Sequence, residues 1–524
     1  MVRDTVSGKL TDPDEAVASV TPGSTITISG LGNMLCPEAT LAALEESYLA
    51  DGTPESLTVF TPIRAGNEDT GLEHLAHEGL LDRLITGSFN TATQPGISEL
   101  VTTNAIEAYA FPMGVAFQLL EQQAGGSPGL LTEVGLGTYV DPRRKGAKYN
   151  RATGDLVEVR EVNDEEYLFY RTIPIDVAII KGTTVDRRGN VSIEHEPNEL
   201  GIRDMAMAAR NSGGTVIAQV KRISESTHGN GRSVAVPGDI VDHVVVDPSQ
   251  RQILGHDCVD EALTGGIHRS LRPGERSDVD ALELRKRIIL RRGLAEAKSG
   301  DLVNLGVGMP VYLPAVAKER GRFDEITITT EHGNIGGTPN PEEFGSHYNF
   351  ESQLKSADIF RLYQGGGLDV SFLGLAQIDA FGNVNNSNFA GILRGPGGFI
   401  DITNRTDRIV FCGSLTAGGL DVAVDDGELV VESEGRNRKF VETVEEVTLN
   451  GETALDAGST ITVITERGRF EVTRDGLVLT EIAPGIDVDE DIRRHVAFDI
   501  VVDDPLATYD LDALTTSPDG RRSG

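Results

Sequence analysis

IDVAIIKGTTVDRRGNV, residues 175–191, decides how this chain folds. Its opening, IDVAIIKGTTVD, is an almost continuous apolar run, the pattern of a strand buried on both faces. The stretch closes on a Gly-Asn turn. It aligns without gaps on LDVSFLGLAQIDAFGNV at 368–384, where Asp, Val, a second Asp and Gly-Asn-Val are identical. Each copy predicts a buried strand, a short second strand and a tight turn. The simplest account is one fold, duplicated and diverged.

Working outward, the same alternation of strand and helix recurs. STITISG at 24–30 reads as a strand, followed by a glycine turn and a helix from about Pro37 through EATLAALEE. Proline suits the first helical position, where its missing N–H would be unpaired anyway. LTVFTP at 57–62 reads as the next strand. DLVNLGVGMP at 301–310 repeats the layout of strand, glycine turn, proline and helix. Strands alternating with helices make this an α/β protein. The polar stretch HRSLRPGERSDVDA at 268–281 is the best boundary, giving domains at 1–270 and 280–524. After about residue 424 the pattern turns β-rich (ELVVESEG, STITVITERGRFEV, GLVLTEI), which reads as an elaboration of the second half.

Composition narrows the function classes. The chain has 524 residues and a net charge of −34, with ten Lys and 37 Arg. A nucleic-acid binder needs the opposite sign, because phosphate neutralisation dominates that affinity. Acidity spread along the whole chain together with Lys depletion points to a high-salt cytoplasm, where a strongly charged surface maintains solubility. An ordinary acidic enzyme is the alternative. Cys36, Cys258 and Cys412 match no metal or disulfide pattern. The N-terminus has no apolar signal region and no stretch is long enough to span a membrane, so a cytoplasmic protein with no membrane partner is expected.

Four segments carry candidate chemistry. ITITTEHGNIGGTPN at 326–340 places Glu331 just after a β-branched strand, in a loop with Gly333, Gly336 and Gly337. Open α/β sheets bind ligands at the carboxyl ends of their strands. Local pattern alone leaves Glu331 open between that role and a common charged strand exit. In VNLGVGMPVYLPA at 303–315, Gly306 and Gly308 form a turn whose amides can hold an anion, and Asn304 offers a side-chain donor. The spacing is not that of a dinucleotide fingerprint. YQGGGLDVSFLGLAQIDAFGNVNNSNF at 363–389 and GPGGFIDI at 395–402 read either as turn chemistry or as a backbone-lined groove for a long ligand with a narrow arm.

Together these segments resemble the family I CoA-transferases, in particular the single-chain acetate/3-oxoacid or propionate type. The resemblance covers roughly residues 5–510 and rests on ordered motifs in both halves. PEATLAALEE, HLAHEGLLDRLITGSF, EAYAFPMGV and SPGLLTEVGLGTYVDPR carry it in the first half; NLGVGMP, TTEHGNIGG, GNVN and GPGGFIDI carry it in the second. It implies two tandem open α/β domains of the NagB/RpiA-like type, the second bearing the catalytic glutamate. It implies that Glu331 is the nucleophile and that a glutamyl-CoA thioester forms in a ping-pong exchange between an acyl-CoA and a small carboxylic acid. Asn304 is then the expected oxyanion donor. Gly397 and Gly398 are expected to line the thioester end of coenzyme A, and Asn386 its pantetheine arm. No cofactor beyond coenzyme A, no metal and no nucleic acid is expected; a homo-oligomer, dimer or tetramer, is.

Two positions depart from the family pattern. His332 follows the carboxylate where Asn or Ser is usual. Met113 stands where many relatives have a Gln that helps stabilise the oxyanion; Met has no strong donor, so the backbone of Met113 or Gly114 is expected to substitute. An acyl-CoA hydrolase on the same scaffold is the runner-up. A non-catalytic sugar-phosphate or CoA sensor is a third reading, disfavoured by the presence of Glu331.

Overall fold

The structure, a computed structural model, describes residues 5–226, 230–269 and 279–516. Most of the expected boundary segment, residues 270–278, lies outside the described residues. The chain divides into two compact units. The first holds the residues up to His268 together with Gln353–Phe360 and Ile392–Asp401; the second holds Arg269–Ser352, Arg361–Gly391 and the residues from Ile402 onward. Two short pieces of the expected 280–524 segment thus cluster with the first unit, among them the residues around Gly397.

The first unit is built on a wholly parallel sheet. Its strands are β1 (Leu10–Thr11), β2 (Thr25–Ile28), β3 (Leu57–Thr61), β4 (Leu81–Thr86), β5 (Glu107–Ala110), β6 (Val177–Lys181), β7 (Thr215–Val220) and β8 (His243–Val246). They run in the order β1-β8-β7-β6-β2-β3-β4-β5, every neighbour parallel. All five residues of β6 are buried, as its unbroken apolar run requires. The helix after β2 spans Glu38–Asp51, with Pro37 one position earlier than expected, at its cap, and Gly52 closing it in the left-handed conformation.

The second unit repeats the centre of that sheet. β9 (Leu302–Leu305), β10 (Thr327–Thr329), β11 (Val370–Leu373), β12 (Arg408–Cys412) and β13 (Thr460–Ile464) run parallel in the order β10-β9-β11-β12-β13. This is the order β3-β2-β6-β7-β8 of the first unit, strand for strand. STITVI, which reads in the sequence as part of the β-rich elaboration, is therefore β13, the counterpart of β8. The elaboration proper begins after it. β14 (Gly468–Thr473) adds antiparallel to β13, β15 (Gly476–Ile482) antiparallel to β14, and β16 (Val501–Thr508) parallel to β15, all in the same sheet. An apolar core that includes Ile289, Leu290, Val303, Leu313, Val370, Phe372 and Val410 packs around the strands and helices of this unit.

The identical residues of the two copies explain themselves. Asp176 Oδ2 accepts the amide of Thr25 at 2.8 Å, and Asp369 Oδ2 accepts that of Leu302 at 2.7 Å, so each fixes the start of a neighbouring strand. Asp186 accepts from the amides of Arg188 and Asn190 and from Asn190 Nδ2. Asp379 accepts from Phe381, Asn383 and Asn383 Nδ2 in the same pattern. Gly189 and Gly382 take φ of 83° and 72°, which glycine adopts without strain. Asn190 Oδ1 then reaches the amide of Gly238, and Asn383 Oδ1 that of Gly451. A Cβ at Gly238 would fall 2.2 Å from Arg188 O, and one at Gly451 2.1 Å from Phe381 O. The second close approach shows that the duplication extends to PG at 237–238 and NG at 450–451, an echo the sequence alone does not reveal.

No helix among the described residues is long and apolar enough to cross a membrane. The first unit also carries a charged knot. His74 bridges Glu38 at 2.7 Å and Glu45 at 2.5 Å, and His77 meets the other oxygen of Glu45 at 2.6 Å. Burial opposes protonation of His74, but the hydrogen bonds and charges of Glu38 and Glu45 raise its pKa to about 9.

Two outcomes follow. Because the folded pKa of His74 lies above its unfolded value, its contribution is complete below about pH 6.5 and is lost as pH rises through about 9. His74→Gln should therefore cost about 1–2 kcal/mol in denaturant unfolding at pH 6 and much less at pH 9.5; an equal cost at both would refute the account. Asp186→Ala and Asp379→Ala each strip one turn of three acceptor bonds and should each cost about 2 kcal/mol by the same measurement.

A carboxylate cavity at the strand ends of the second unit

Glu331 owes its place to β10. The strand ends at Thr329, and Gly333 N–H returns to Thr330 O at 3.0 Å, closing a tight turn with Glu331 and His332 at its tip. Asn334–Ile335 then runs back antiparallel to β10, with Ile335 opposite Thr329. Gly333 holds φ at 104°, which a side chain would resist. The turn leaves Glu331 only 6% exposed on the wall of a cavity of about 380 Å³.

The turn after the neighbouring strand β9 belongs to the same cavity. Gly306, Val307, Gly308 and Met309 line the cavity, and Gly308 sits at φ 97° and ψ −129°, a conformation that excludes other residues. Gly306 N–H is taken by Phe372 O at 2.8 Å. Val311, Tyr312, Pro339 and Phe344 add apolar surface, and Asn340, Ser346 and Lys286 also stand among the lining residues. Val307, at 62% exposure, presents its side chain openly.

His332 is 2% exposed and neither ring nitrogen has a hydrogen-bond partner. Its ring meets Phe344 edge-on at 5.0 Å. Burial holds its imidazole below the usual histidine range, against the pull of the neighbouring Glu331 carboxylate. It is a neutral, packed residue and not a surface loop side chain. His347, 1% exposed, is pushed down to about 3 by burial, with His332 acting in the same direction.

Asn304 is fully buried in β9 and is not among the residues lining the cavity. Its Nδ2 donates to Tyr363 Oη at 3.4 Å, and Tyr363 Oη donates to Thr329 Oγ1 at 2.7 Å. Thr329 Oγ1 in turn donates to Val303 O. This chain of polar groups ties β9 to β10 directly beneath the turn that bears Glu331.

Met113 and Gly114 lie in the first unit, at the start of the helix Met113–Ala124. Both amides are already engaged: Met113 N–H donates to Gly397 O at 2.9 Å, and Gly114 N–H to Asp401 Oδ2 at 2.9 Å. The expectation that they stand ready for an oxyanion is corrected by elementary helix chemistry. The first-turn N–H groups of a helix need outside acceptors, and a buried carboxylate is a strong one. Asp401 is 0% exposed, and a Cβ at Gly114 would fall 2.6 Å from its Oδ1. The FIDI motif carries no local sign of this role for Asp401, because a helix cap far along the chain leaves no pattern in the sequence around it.

Gly397 takes φ 52°, and a Cβ there would meet nothing within 4 Å, so the chain runs beside open space. Its amide donates to Gly87 O, while Gly398 is buried beside it. Asn386 belongs to the second unit, in the loop after the hairpin of Gln377–Ile378 and Val384–Asn385. That loop is held firmly: Asn386 N–H donates to Thr448 Oγ1, Ser387 Oγ to Glu446 Oε1 at 2.6 Å, and Asn385 Nδ2 to Gln377 Oε1. The Asn386 side chain stays half-buried.

Known proteins share this architecture. The family model for coenzyme A transferase matches residues 10–247. A caffeate CoA-transferase of Acetobacterium woodii is 38% identical over 524 residues, 98% of each chain. The acetate CoA-transferase YdiF of Escherichia coli K12 is 38% identical over 503 residues, 95% of this chain and 93% of its own. The crystal structure of the acyl-CoA transferase YdiF of E. coli O157:H7, as a thioester complex with CoA, superposes with a TM-score of 0.91 at 35% identity, over 98% of each chain. With near-complete coverage and the same tandem parallel sheets, this chain belongs to the coenzyme A transferase family.

Proposed function

We propose that the chain transfers coenzyme A between short carboxylic acids through a thioester on Glu331. The observation that carries this reading is the position of Glu331: nearly buried, at the tip of a strand-end turn, in one cavity with the glycine turn of the neighbouring strand. A carboxylate is a weak nucleophile in water, and removing water makes it more reactive.

In this scheme a Glu331 oxygen attacks the thioester carbonyl. The C–S bond breaks, its electron pair leaves on the coenzyme A thiolate, and an acyl-glutamyl anhydride remains. The thiolate attacks the glutamyl carbonyl, releasing the donor acid as its carboxylate and leaving Glu331 as a thioester. An acceptor carboxylate attacks that thioester, and the thiolate then takes the new acyl group, restoring Glu331. Electron pairs balance among the two acids, coenzyme A and Glu331, so the scheme calls for no further cofactor.

Each attack builds an oxyanion, which needs donors already in place. Asn304 is not among the residues that line the cavity, so the donors proposed are backbone amides of the Val307–Met309 turn, which shares the cavity with Glu331. Asn304 then acts as a positioning residue through Tyr363 and Thr329. The cavity has room for acids larger than acetate, in keeping with relatives named for acetate and for caffeate. Acetate, propionate, a short 3-oxoacid and a phenylpropenoic acid form the proposed acceptor panel.

Incubation with acetyl-CoA should add the mass of coenzyme A to the Glu331 peptide, and initial-rate lines should be parallel. Glu331→Gln should lose at least about 1000-fold in kcat. Full activity in that variant, or release of free coenzyme A independent of any acceptor acid, would overturn the reading, the second outcome pointing to a hydrolase. His332→Asn, which removes the ring packed on Phe344, should keep the adduct but alter the ratio of kcat/KM between acetate and the phenylpropenoic acid by about tenfold; an unchanged ratio would exclude His332 from acid selection.

A further inference from the structure

The corner of the first unit where the loops after β3 and β4 meet is short of acceptors. Arg64 Nε, Thr93 Oγ1 and Gln94 Nε2 are shut off from solvent there, and none has a hydrogen-bond partner among the described residues. The two loops touch directly: Arg64 N–H donates to Ser88 Oγ at 3.2 Å, and Glu68 N–H to Thr93 O. Asn67 Oδ1 is unpartnered in the same corner, though its Nδ2 donates to Asn33 Oδ1 at 3.0 Å. Buried polar atoms are nearly always bonded. Three donors left open on one pair of loops call for an acceptor from outside the chain.

Arg64 says what kind. Its guanidinium is part-buried and forms no ion pair among the described residues, in a chain with 81 acidic residues. Glu68 and Asp69, on the same loop, are exposed and neither pairs with it. Burial lowers its pKa to about 10, and no neighbouring carboxylate works the other way. It is therefore a cation at neutral pH, without the anion that normally accompanies a desolvated charge. A planar guanidinium matches a carboxylate through two parallel N–H bonds. The exchange proposed above brings free carboxylates to the protein.

The duplication gives this corner its meaning. Asp176 pins Thr25 and Asp369 pins Leu302, which makes those two residues equivalent. Thr25 lies opposite Thr58 of β3, and Leu302 opposite Thr327 of β10. Counted on from there, Pro62 takes the place of Glu331, and Arg64 that of Gly333. The exit that carries a carboxylate in one copy carries an unpaired guanidinium in the other. The backbone beneath it is fixed: Gly32 N–H donates to Arg64 O at 3.0 Å, and Gly66 N–H to Gly32 O at 2.7 Å.

We propose that Arg64 binds the carboxylate of the acid that takes part in the exchange, with Thr93 and Gln94 as the further donors of that corner. The duplicated exits have thereby acquired complementary charges: a carboxylate that carries coenzyme A in the second unit, and a guanidinium that receives the free acid in the first. The proposal rests on the reading that acids exchange through a thioester on Glu331.

The test is protection of Arg64 from phenylglyoxal in the wild-type protein, read by mass spectrometry of the peptide that holds it. Saturating propionate should slow the modification at least about tenfold, whereas propionamide, of the same shape but uncharged, should not. Protection by both would make the effect steric. Protection by inorganic phosphate in place of propionate would assign the corner to a phosphate. Either result overturns the proposal, as does no protection at all. R64Q should lower kcat/KM for propionate and for propionyl-CoA alike, by at least about tenfold, because both directions pass through one transition state. R64K, which keeps the charge without the planar fork, should recover part of the loss. Unchanged kinetics in R64Q would sink the idea. R64Q removes no side-chain partner found within the described residues and should unfold like the wild type. The wild type also separates this proposal from the thioester reading. A coenzyme A adduct on Glu331 without protection of Arg64 overturns this proposal alone; protection without the adduct overturns the thioester reading alone.

Discussion

A parallel strand buried on both faces cannot turn back beside itself; it must leave the sheet at its carboxyl end and cross over through a helix. That constraint governs both units of this protein. It brings the exits of neighbouring strands to one edge, and in the second unit it sets Glu331, the Gly306–Met309 turn, Gly374 and Gly413 in consecutive positions along that edge. Chemistry gathers there because the backbone groups released by each strand end must find partners, and the turns that satisfy them also leave space for a ligand.

The duplicated aspartates show how little sequence is needed to hold such an arrangement. Asp176 and Asp369 each pin the first residue of a neighbouring strand; Asp186 and Asp379 each close a turn with three acceptor bonds. An apolar position tolerates any residue of the right volume, whereas a carboxylate that satisfies specific buried amides has no substitute of the same reach and charge. The two aligned copies accordingly differ at most of their apolar positions while keeping these four aspartates.

The surroundings of Glu331 follow the same physical logic. Its turn rests on Thr329, Tyr363 and Asn304, a buried polar chain in which each group is held by the next. His332, buried and close-packed, stands beside it where a solvated loop would have left water. In the first unit, the helix that begins at Met113 likewise gives its first amides to Gly397 O and Asp401.

Much of this was legible in the sequence: the α/β class, the internal repeat, the strands at 25–28, 57–61 and 177–181, and the carboxylate at a strand exit all follow from apolar periodicity and turn residues. These are local signals, carried by neighbours in the chain. The tertiary structure decided the rest. STITVI looks like any β-rich segment until its parallel pairing with β12 makes it the counterpart of β8. Asn304 looks like a residue of the cavity wall until it is found fully buried in β9, donating to Tyr363. Met113 and Gly114 look available until Gly397 and Asp401 claim their amides. Each of these turns on a partner tens or hundreds of residues away, and pairing at that range leaves no periodicity for a single sequence to display.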